Sequence, residues 1–593
     1  MKKIFSILLT SVLMVSCVDT VILPESKTVD EDMWQTKSDV QGVLSCAYQQ
    51  LRSDALMRDF IVWGDLRSDE LIVNSSSSIT NSSAYKVDLT EVYSLNITPN
   101  NQFSSYLPLY TAINYCNMVL ERAKSVVAID PDYQPGDYDA DRSKALALRA
   151  FCYFYLVRVF HDVPLELNAY WSSEQTAVAP VQVAPAVVLD QCINDLKEAE
   201  AGALASNIYK DWRDKGYITR DGIYSLLADI YLWRASVNHD LADYQTAIDY
   251  CDKVIANKHA AHIMERGEEE ADYYLAKAED YYDKVFAVNG GARTSYPLNS
   301  EESIFEIQFY SVKTSGGTTT QTANNAGVFQ MYCRYNGSGT STPPYLCTTK
   351  DYGKENASGT STNLFKTADD VRLKEFVYGA GSDADQYLVR KYVAQNGYNS
   401  TFNKETSTSS GRSSFTQNWI VYRLTDIMLM KAEALVQLAA AAGDADEAEA
   451  INQQAFDIVQ YVNNRALPES STAQLKYAVY SKNMEMLVLQ ERGRELCFEG
   501  KRWFDLMRYN YRHLPDGAKA DLTKTFAEMG SSFVTNSEEM LNLATTKYPT
   551  SAMKSKMPTE PYLYWPIYTS EMDNNTNLIQ NPVWVETETS KRN

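Results

Sequence analysis

Apolar positions in the first half of the chain recur at intervals of three and four, the spacing that keeps side chains on one helix face. Val40, Val43, Leu44, Ala47, Tyr48 and Leu51 form one such stripe, behind a Ser38/Gln41 capping box that predicts the helix start. Leu109, Ile113, Cys116, Leu120 and Ala123 form a second. Leu148, Cys152, Tyr155 and Val159 form a third, which Val163-Pro164 is expected to end. Further stripes run from Leu189 to Ala199, from Ile223 to Val237 and from Tyr244 to Ile255.

Two stripe pairs carry more information. Ala228, Tyr231, Tyr244 and Ala247 fall where the antiparallel helices of a tetratricopeptide repeat interlock small and large side chains. A second pair starts at Leu424: Leu424, Ile427, Met428, Ala432 and Leu435 on one helix, a Gly443-Asp444 turn, then Ala455, Ile458, Val459 and Val462. Between them the character changes. Ile304 to Phe309 alternates like a strand, and Ser/Thr/Gly/Asn-rich stretches with scattered Tyr follow. The predicted fold is mostly α, a tetratricopeptide-like helical repeat scaffold carrying a loop-rich, partly β insertion that forms the ligand face. The expected divisions are 1–16, 17–33, 34–299, 300–415 and 416–593.

The N-terminus has its own pattern. Lys2 and Lys3 precede a mostly apolar run from Ile4 to Val15, too short to span a membrane and right for an export signal. Met14-Val15-Ser16-Cys17 is the arrangement a lipoprotein signal peptidase requires, with Cys17 receiving lipid and becoming the new N-terminus. The competing reading is an ordinary secretory signal cut near Ser16. Val18 to Met33, with Pro24 and Asp30, Glu31 and Asp32 and no helical period, suits a tether.

Composition narrows the function. A net charge of -21 argues against nucleic acid, whose phosphates need a Lys/Arg surface. With five His and no HExxH, histidine-based catalysis and zinc have little to stand on. So acidic a chain could take calcium, but no EF-hand-like loop places it, and no cofactor is expected. Cys116, Cys152, Cys192 and Cys251 lie on apolar stripes and are expected to be buried thiols, while Cys333 and Cys347 share one loop-rich region and could pair. Forty-one Tyr and nine Trp supply rings with an apolar face and a polar edge, suited to sugar stacking wherever they are not packed in helix stripes.

Three segments carry a resemblance. Ala145–Leu165 (ALALRAFCYFYLVRVFHDVPL), Glu491–Arg508 (ERGRELCFEGKRWFDLMR) and Trp565–Trp584 (WPIYTSEMDNNTNLIQNPVW) resemble, in order, signatures of the SusD/RagB nutrient-binding outer-membrane lipoproteins of Bacteroidetes. The resemblance spans essentially the whole chain after the export signal. It implies four tetratricopeptide-like repeats and a loop-rich ligand face. It also implies a closing segment built as a Pro-Ile strand, a Ser-Glu-x-Asp turn and an Asn-rich tail. The implied partner is a SusC-type TonB-dependent transporter, over which the lipoprotein sits as a hinged lid at the cell exterior.

The expected function is surface capture of a poly- or oligosaccharide without catalysis. The same fold would also serve peptide or glycopeptide capture. A secreted glycosidase using Glu491 and Glu495, one helical turn apart, is the reading from another class. Against it, Arg492, Arg494, Lys501, Arg502 and Arg508 match the segment's anions and predict ionised, paired carboxylates. Arg149, Arg158 and Asp162 are read the same way.

Two stretches are candidate ligand contacts. Trp63, Asp65, Arg67 and Asp69, in WGDLRSDE, put a ring beside hydroxyl-binding charges. Where some starch-binding relatives place Trp just downstream, Ile72-Val73-Asn74-Ser75 stands here, which argues against a starch-type helical ligand. In the insertion, Tyr332, Arg334, Tyr335 and Tyr345 sit in QMYCRYNGSGTSTPPYLC with no stripe to pack into, so exposure is expected. Pro343-Pro344 would stiffen the approach to Tyr345, the foremost candidate. Tyr310, Tyr352 and Trp419 are secondary.

Overall fold

The computed structural model describes residues 33–74, 84–171, 179–205, 215–266, 275–276, 285–286, 302–309, 312–315, 318–321, 326–332, 335–337, 340–342, 344–349, 352, 364–365, 367, 369–378, 386–392, 418–468, 470–514, 520–529 and 560–585. The first stripe becomes α1 (Lys37–Gln50). Its cap lies two residues earlier than Ser38. Thr36 takes extended backbone, its hydroxyl accepts the Asp39 N–H at 3.3 Å, and the Asp39 carboxylate accepts the Thr36 N–H at 2.7 Å. Just ahead of it, Trp34 is buried edge-on against Trp171, with ring centroids 6.2 Å apart.

After α2 (Asp54–Ile61) come a π-helical turn over Val62–Leu66, a short β1 (Leu71–Val73) and α3 (Ala84–Tyr93). Helices α4 (Leu107–Val126) and α5 (Pro135–Phe160) then pack on α1 and on each other. From Ala145 to Phe160 every residue of α5 is buried, so the single predicted stripe understates a helix enclosed on all sides. Enclosed charges need partners: Arg149 grips Asp195 with two hydrogen bonds of 2.8 Å, and Arg158 meets Asp229 at 3.2 Å. The helix ends at His161, whose φ of 71° breaks it before Val163-Pro164. Those two form β2 (Val163–Pro164), paired antiparallel with β3 (Gln182–Val183).

The scaffold continues through α6 (Pro185–Gly202), α7 (Arg220–Asn238) and α8 (Leu241–Arg266). Only two residues separate α7 from α8, so they fold back on one another, burying Ala228, Tyr231, Tyr244 and Ala247 as their spacing predicts. The thiols of Cys116, Cys152, Cys192 and Cys251 lie inside these packed layers, where burial pushes their pKa values up, to about 12 for Cys116.

The insertion opens on β4 (Ser303–Ile307), which is buried on both faces instead of one. It pairs antiparallel with β12 (Trp419–Arg423), so the strands that bracket the insertion close its base inside the core. Between them lie the hairpin β5 (Val312–Ser315) and β6 (Thr318–Gln321), helix α9 (Ala326–Tyr332), and the hairpin β7 (Tyr335–Gly337) and β8 (Thr340–Thr342). Next come β9 (Leu346–Thr349), α10 (Val371–Phe376), β10 (Val377–Tyr378) and β11 (Gln386–Val389). A four-stranded antiparallel sheet ordered β1-β9-β11-β10 stitches the insertion to the N-terminal half, with Ile72 opposite Cys347. Cys333 lies outside the described residues.

The second predicted pair is α11 (Leu424–Ala441) and α12 (Ala445–Arg465), turned at Gly443 with Asp444 as the cap of α12. Helix α11 also packs on α8, which joins the two helical pairs into one stack. The chain continues through α13 (Tyr477–Tyr480), α14 (Met484–Leu496), α15 (Arg502–Arg512) and α16 (Phe526–Met529) to α17 (Thr569–Asn574). The closing segment departs from expectation. Trp565-Pro566-Ile567 forms no strand, and Ser570-Glu571-Met572-Asp573 is part of a helix. Trp565 N–H donates to the Val159 carbonyl at 2.8 Å, which docks the closing segment on the end of α5. Among the described residues, no helix is long and apolar enough to cross a membrane.

Candidate functional site

The WGDLRSDE loop is a clamp inside the protein. Trp63, Asp65, Arg67 and Asp69 are 0, 0, 1 and 8 % exposed, which corrects their placement on a ligand face. Trp63 donates its indole N–H to the Phe103 carbonyl at 2.7 Å. Arg67 lies over the Trp503 ring at 4.3 Å and donates to the carbonyls of Leu563 and Tyr562. Asp69 takes two hydrogen bonds from Arg502, at 2.8 and 3.0 Å. Asp65 accepts the N–H groups of Gly500 and Lys501, at 2.8 and 3.0 Å, and Glu70 accepts that of Phe498 at 2.8 Å.

These carboxyls hold a turn in which Phe498 and Gly500 have φ of 66° and 73°, the left-handed region. A Cβ on Gly64 would stand 2.0 Å from the Gly500 carbonyl oxygen, so only glycine lets the two backbones meet. Burial pushes Asp65 up to about 7 against the amides that favour its charged form. Glu70 is pushed well above the usual range by burial, with Asp65 beside it. Loops rich in charge usually lie at the surface, and that rule failed here because the partners of these charges lie more than four hundred residues away.

Glu491 and Glu495 sit among buried cations. Arg372 reaches Glu491 at 2.7 Å and Glu495 at 3.0 Å, Arg423 reaches Glu495 at 2.7 Å, and Arg465 and Arg494 add further contacts. Burial alone would raise both carboxyls, but these guanidinium groups hold Glu491 low and Glu495 well below its usual range. A glycosidase acid must keep its proton near neutral pH, and neither carboxyl is arranged to do so. The same network extends to Glu499, paired with Lys391 at 2.6 Å and Arg423 at 2.8 Å.

The insertion tyrosines divide. Tyr332 is buried with its hydroxyl toward Asp65, 3.4 Å away, Tyr352 is buried beside Phe498, and Trp419 stacks in the core on Tyr392. Exposure of the two tyrosines was expected from local composition, and packing into the clamp overrides it, whereas Trp419 lies in the core as the helical stripe after it suggests. Tyr335 opens β7, while Tyr310 and Arg334 lie outside the described residues.

Among the described tyrosine side chains of the insertion, Tyr345 alone is half-buried, and its place is well fixed. Its N–H donates to the Gln330 carbonyl at 3.2 Å and its carbonyl accepts the Asn74 N–H at 2.9 Å, while the Asn74 side chain holds the Pro344 carbonyl at 2.9 Å. Asn74, standing where some relatives have Trp nearby, thus works as a brace. The Tyr345 ring lies 5.8 Å from that of Tyr85, also half-buried, at the start of α3. Arg58, from the last turn of α2, stacks on Tyr85 at 4.7 Å and donates to the Gln330 side chain at 3.1 Å.

Tyr85, Tyr345 and Arg58 therefore form an aromatic platform of two rings tilted by 53°, with the guanidinium over one face of Tyr85, where α2, α3, α9 and the β9 edge meet. Neither Tyr85 nor Arg58 was legible as a site residue: one starts a short helix after a Ser/Asn-rich stretch, the other ends an apolar helix. Among the described residues, no group of three or more His, Cys, Asp or Glu is arranged to hold a metal ion.

Comparison with known proteins places this fold. A sequence model of the SusD family matches residues 301–584, and a second, described as starch-binding associating with outer membrane, matches residues 23–232. Two relatives from Formosa agariphila are SusD-like protein P38, 25% identical over 86% of this chain and 92% of its own, and SusD-like protein P2, 23% identical over 86% and 90%. Among solved structures, a SusD homolog from Bacteroides thetaiotaomicron superposes with a TM-score of 0.62 at 18% identity, covering 94% of this chain and 98% of its own. A SusD superfamily protein from the same organism gives 0.60 at 21% identity, covering 93% and 99%.

Proposed function

The chain belongs to the SusD/RagB family, and on that premise we propose that it captures poly- or oligosaccharide at the outer face of the outer membrane, held there by lipid on Cys17. The captured glycan then passes to a SusC-type TonB-dependent transporter. The observation that carries the capture reading is the platform itself: two half-buried tyrosine rings at a seam braced by Asn74 and Gln330. A braced ring loses little freedom when a sugar ring stacks on it, so more of the contact energy appears as affinity.

Affinity electrophoresis of the purified protein against a panel of polysaccharides tests this. We expect retention by at least one glycan, no new reducing ends on prolonged incubation, and about ten-fold weaker binding for Tyr85→Ala and for Tyr345→Ala. Retention by an oligopeptide library and by no glycan would transfer the reading to peptide capture, and release of reducing ends would overturn the non-catalytic assignment. In cells, Cys17→Ser should leave the membrane fraction, and protease applied to intact cells should digest the native chain.

A further inference from the structure

Among the described residues, and apart from Arg67, which the Leu563 and Tyr562 carbonyls hold, nearly every buried arginine grips a carboxylate. Arg372, Arg423, Arg492, Arg502 and Arg508 each do so at 2.7–3.0 Å. Arg58 differs. It is 9 % exposed, yet among the described residues no carboxylate lies within ion-pair distance, and its one hydrogen-bond acceptor is the neutral Gln330 side chain. Its neighbour in sequence, Asp59, forms no ion pair with it: burial pushes the Asp59 carboxyl well above its usual range, against the pull of Arg58 and with the nearby Glu571 adding to the rise.

The Arg58 guanidinium thus has no carboxylate partner among the described residues and is held by stacking on Tyr85 and by Gln330. The Gln330 contact uses one of its N–H groups. The others are in the planar, forked arrangement that binds a carboxylate or sulfate through paired hydrogen bonds. The position matters as much as the charge, because Gln330 is also the residue whose carbonyl holds the Tyr345 N–H. Arg58 covers one face of the Tyr85 ring, so a sugar stacked on the neighbouring Tyr345 ring and passing the edge of Tyr85 would present a substituent toward Arg58. The chain's net charge of -21 does not forbid an anionic ligand, since charges farther than about 8 Å are largely screened at physiological ionic strength.

We infer that the Tyr85–Tyr345 platform selects anionic glycans, with Arg58 receiving a uronate carboxylate or a sulfate ester. This inference rests on the capture reading above and sharpens its substrate class.

The test uses the full mature chain, with calorimetric titration of polygalacturonate, alginate and chondroitin sulfate oligosaccharides. The neutral comparison set is amylose, xylan and galactan oligosaccharides, with desulfated and carboxyl-reduced chondroitin as matched controls. We expect a charged glycan to bind at least ten-fold more tightly than its neutralised counterpart. Arg58→Met, which keeps a long side chain over Tyr85, should erase that difference, and Arg58→Lys should retain part of it. Loss of affinity on desulfation alone would identify sulfate as the recognised group, and loss on carboxyl reduction would identify the uronate.

Equal affinity for charged and neutral partners, or discrimination that survives in Arg58→Met, would overturn the inference. Neutral glycans bound in a Tyr345-dependent manner would sink it while leaving the capture reading intact. Binding of no glycan from either set would remove both. Thermal melts of each variant identify any loss that comes from unfolding.

Discussion

Glu495 is fully buried and touches Arg372, Arg423 and Arg465, so three cations share one carboxylate. Its charge is therefore the thing the surroundings are built for. Replacing it by glutamine keeps the shape and removes the charge, leaving the three buried guanidinium groups with only their other carboxylates: Asp370 and Glu491 for Arg372, Glu499 and Glu302 for Arg423, and Glu302 for Arg465. The expected loss is about 3–5 kcal/mol, typical of breaking a buried ion pair by removing one partner. Urea denaturation of Glu495→Gln checks this, and an unchanged midpoint would mean that the network is redundant. Because the folded pKa is depressed, the carboxylate's contribution is present above the unfolded value of about 4.3 and is lost as pH falls below it. The five cations set among four anions in Glu491–Arg508 made ion pairing legible in the sequence. The identity of the partners was not, since Arg372, Arg423, Arg465 and Lys391 come from other elements.

At the scale of elements, the helices were legible because each must bury one stripe, and α7–α8 and α11–α12 pair where their small and large residues predicted. Less legible were the segments whose surroundings come from far along the chain. Local composition made Asp65 and Tyr332 look solvent-facing, whereas the clamp on 498–502 buries both. The platform was missed for the same reason, since its three members lie on α2, α3 and the edge of β9 and meet only in the fold. Helix α9 is what sets them. A Cβ on Gly327 would stand 2.7 Å from both the Asp54 carbonyl oxygen and the Met57 Cβ, so α9 lies directly on α2. Gly327→Ala should lever α9 outward and carry Gln330 away from Arg58 and Tyr345. We expect overpacking to cost about 1–3 kcal/mol, with glycan affinity falling several-fold while the protein stays folded. Native affinity in a stably folded Gly327→Ala protein would show that the platform does not depend on this contact.

Across the whole molecule, the closing segment is joined to the N-terminal half through a carboxyl whose pKa burial raises, the opposite of the Glu495 network. Glu571 on α17 accepts the Ser105 hydroxyl at 2.6 Å and the Tyr106 N–H at 3.2 Å, tying the closing segment to the start of α4. Burial pushes its pKa up to about 7, against those same hydrogen bonds, and the facing groups Asp59 and Tyr106 offer no cation. A raised carboxyl holds its proton in the folded state where the unfolded chain would release it. Its contribution is therefore full below about pH 4.3 and is lost as pH rises through about 7. The depressed carboxylates, Glu491, Glu495 and Glu499 among them, titrate well below that window, so between pH 5.5 and 8 the raised set governs the slope. Glutamine at position 571 can still accept from Ser105 and Tyr106 but carries no charge to desolvate. Stability of the native chain should thus fall more steeply than that of Glu571→Gln across this range, with the two curves separating by on the order of 1 kcal/mol at pH 8. Asp65, with a pKa also near 7, titrates in both proteins and leaves the difference to Glu571. Parallel denaturation curves from pH 5.5 to 8 would mean that Glu571 is solvated and that the closing segment is held by packing at Trp565 instead.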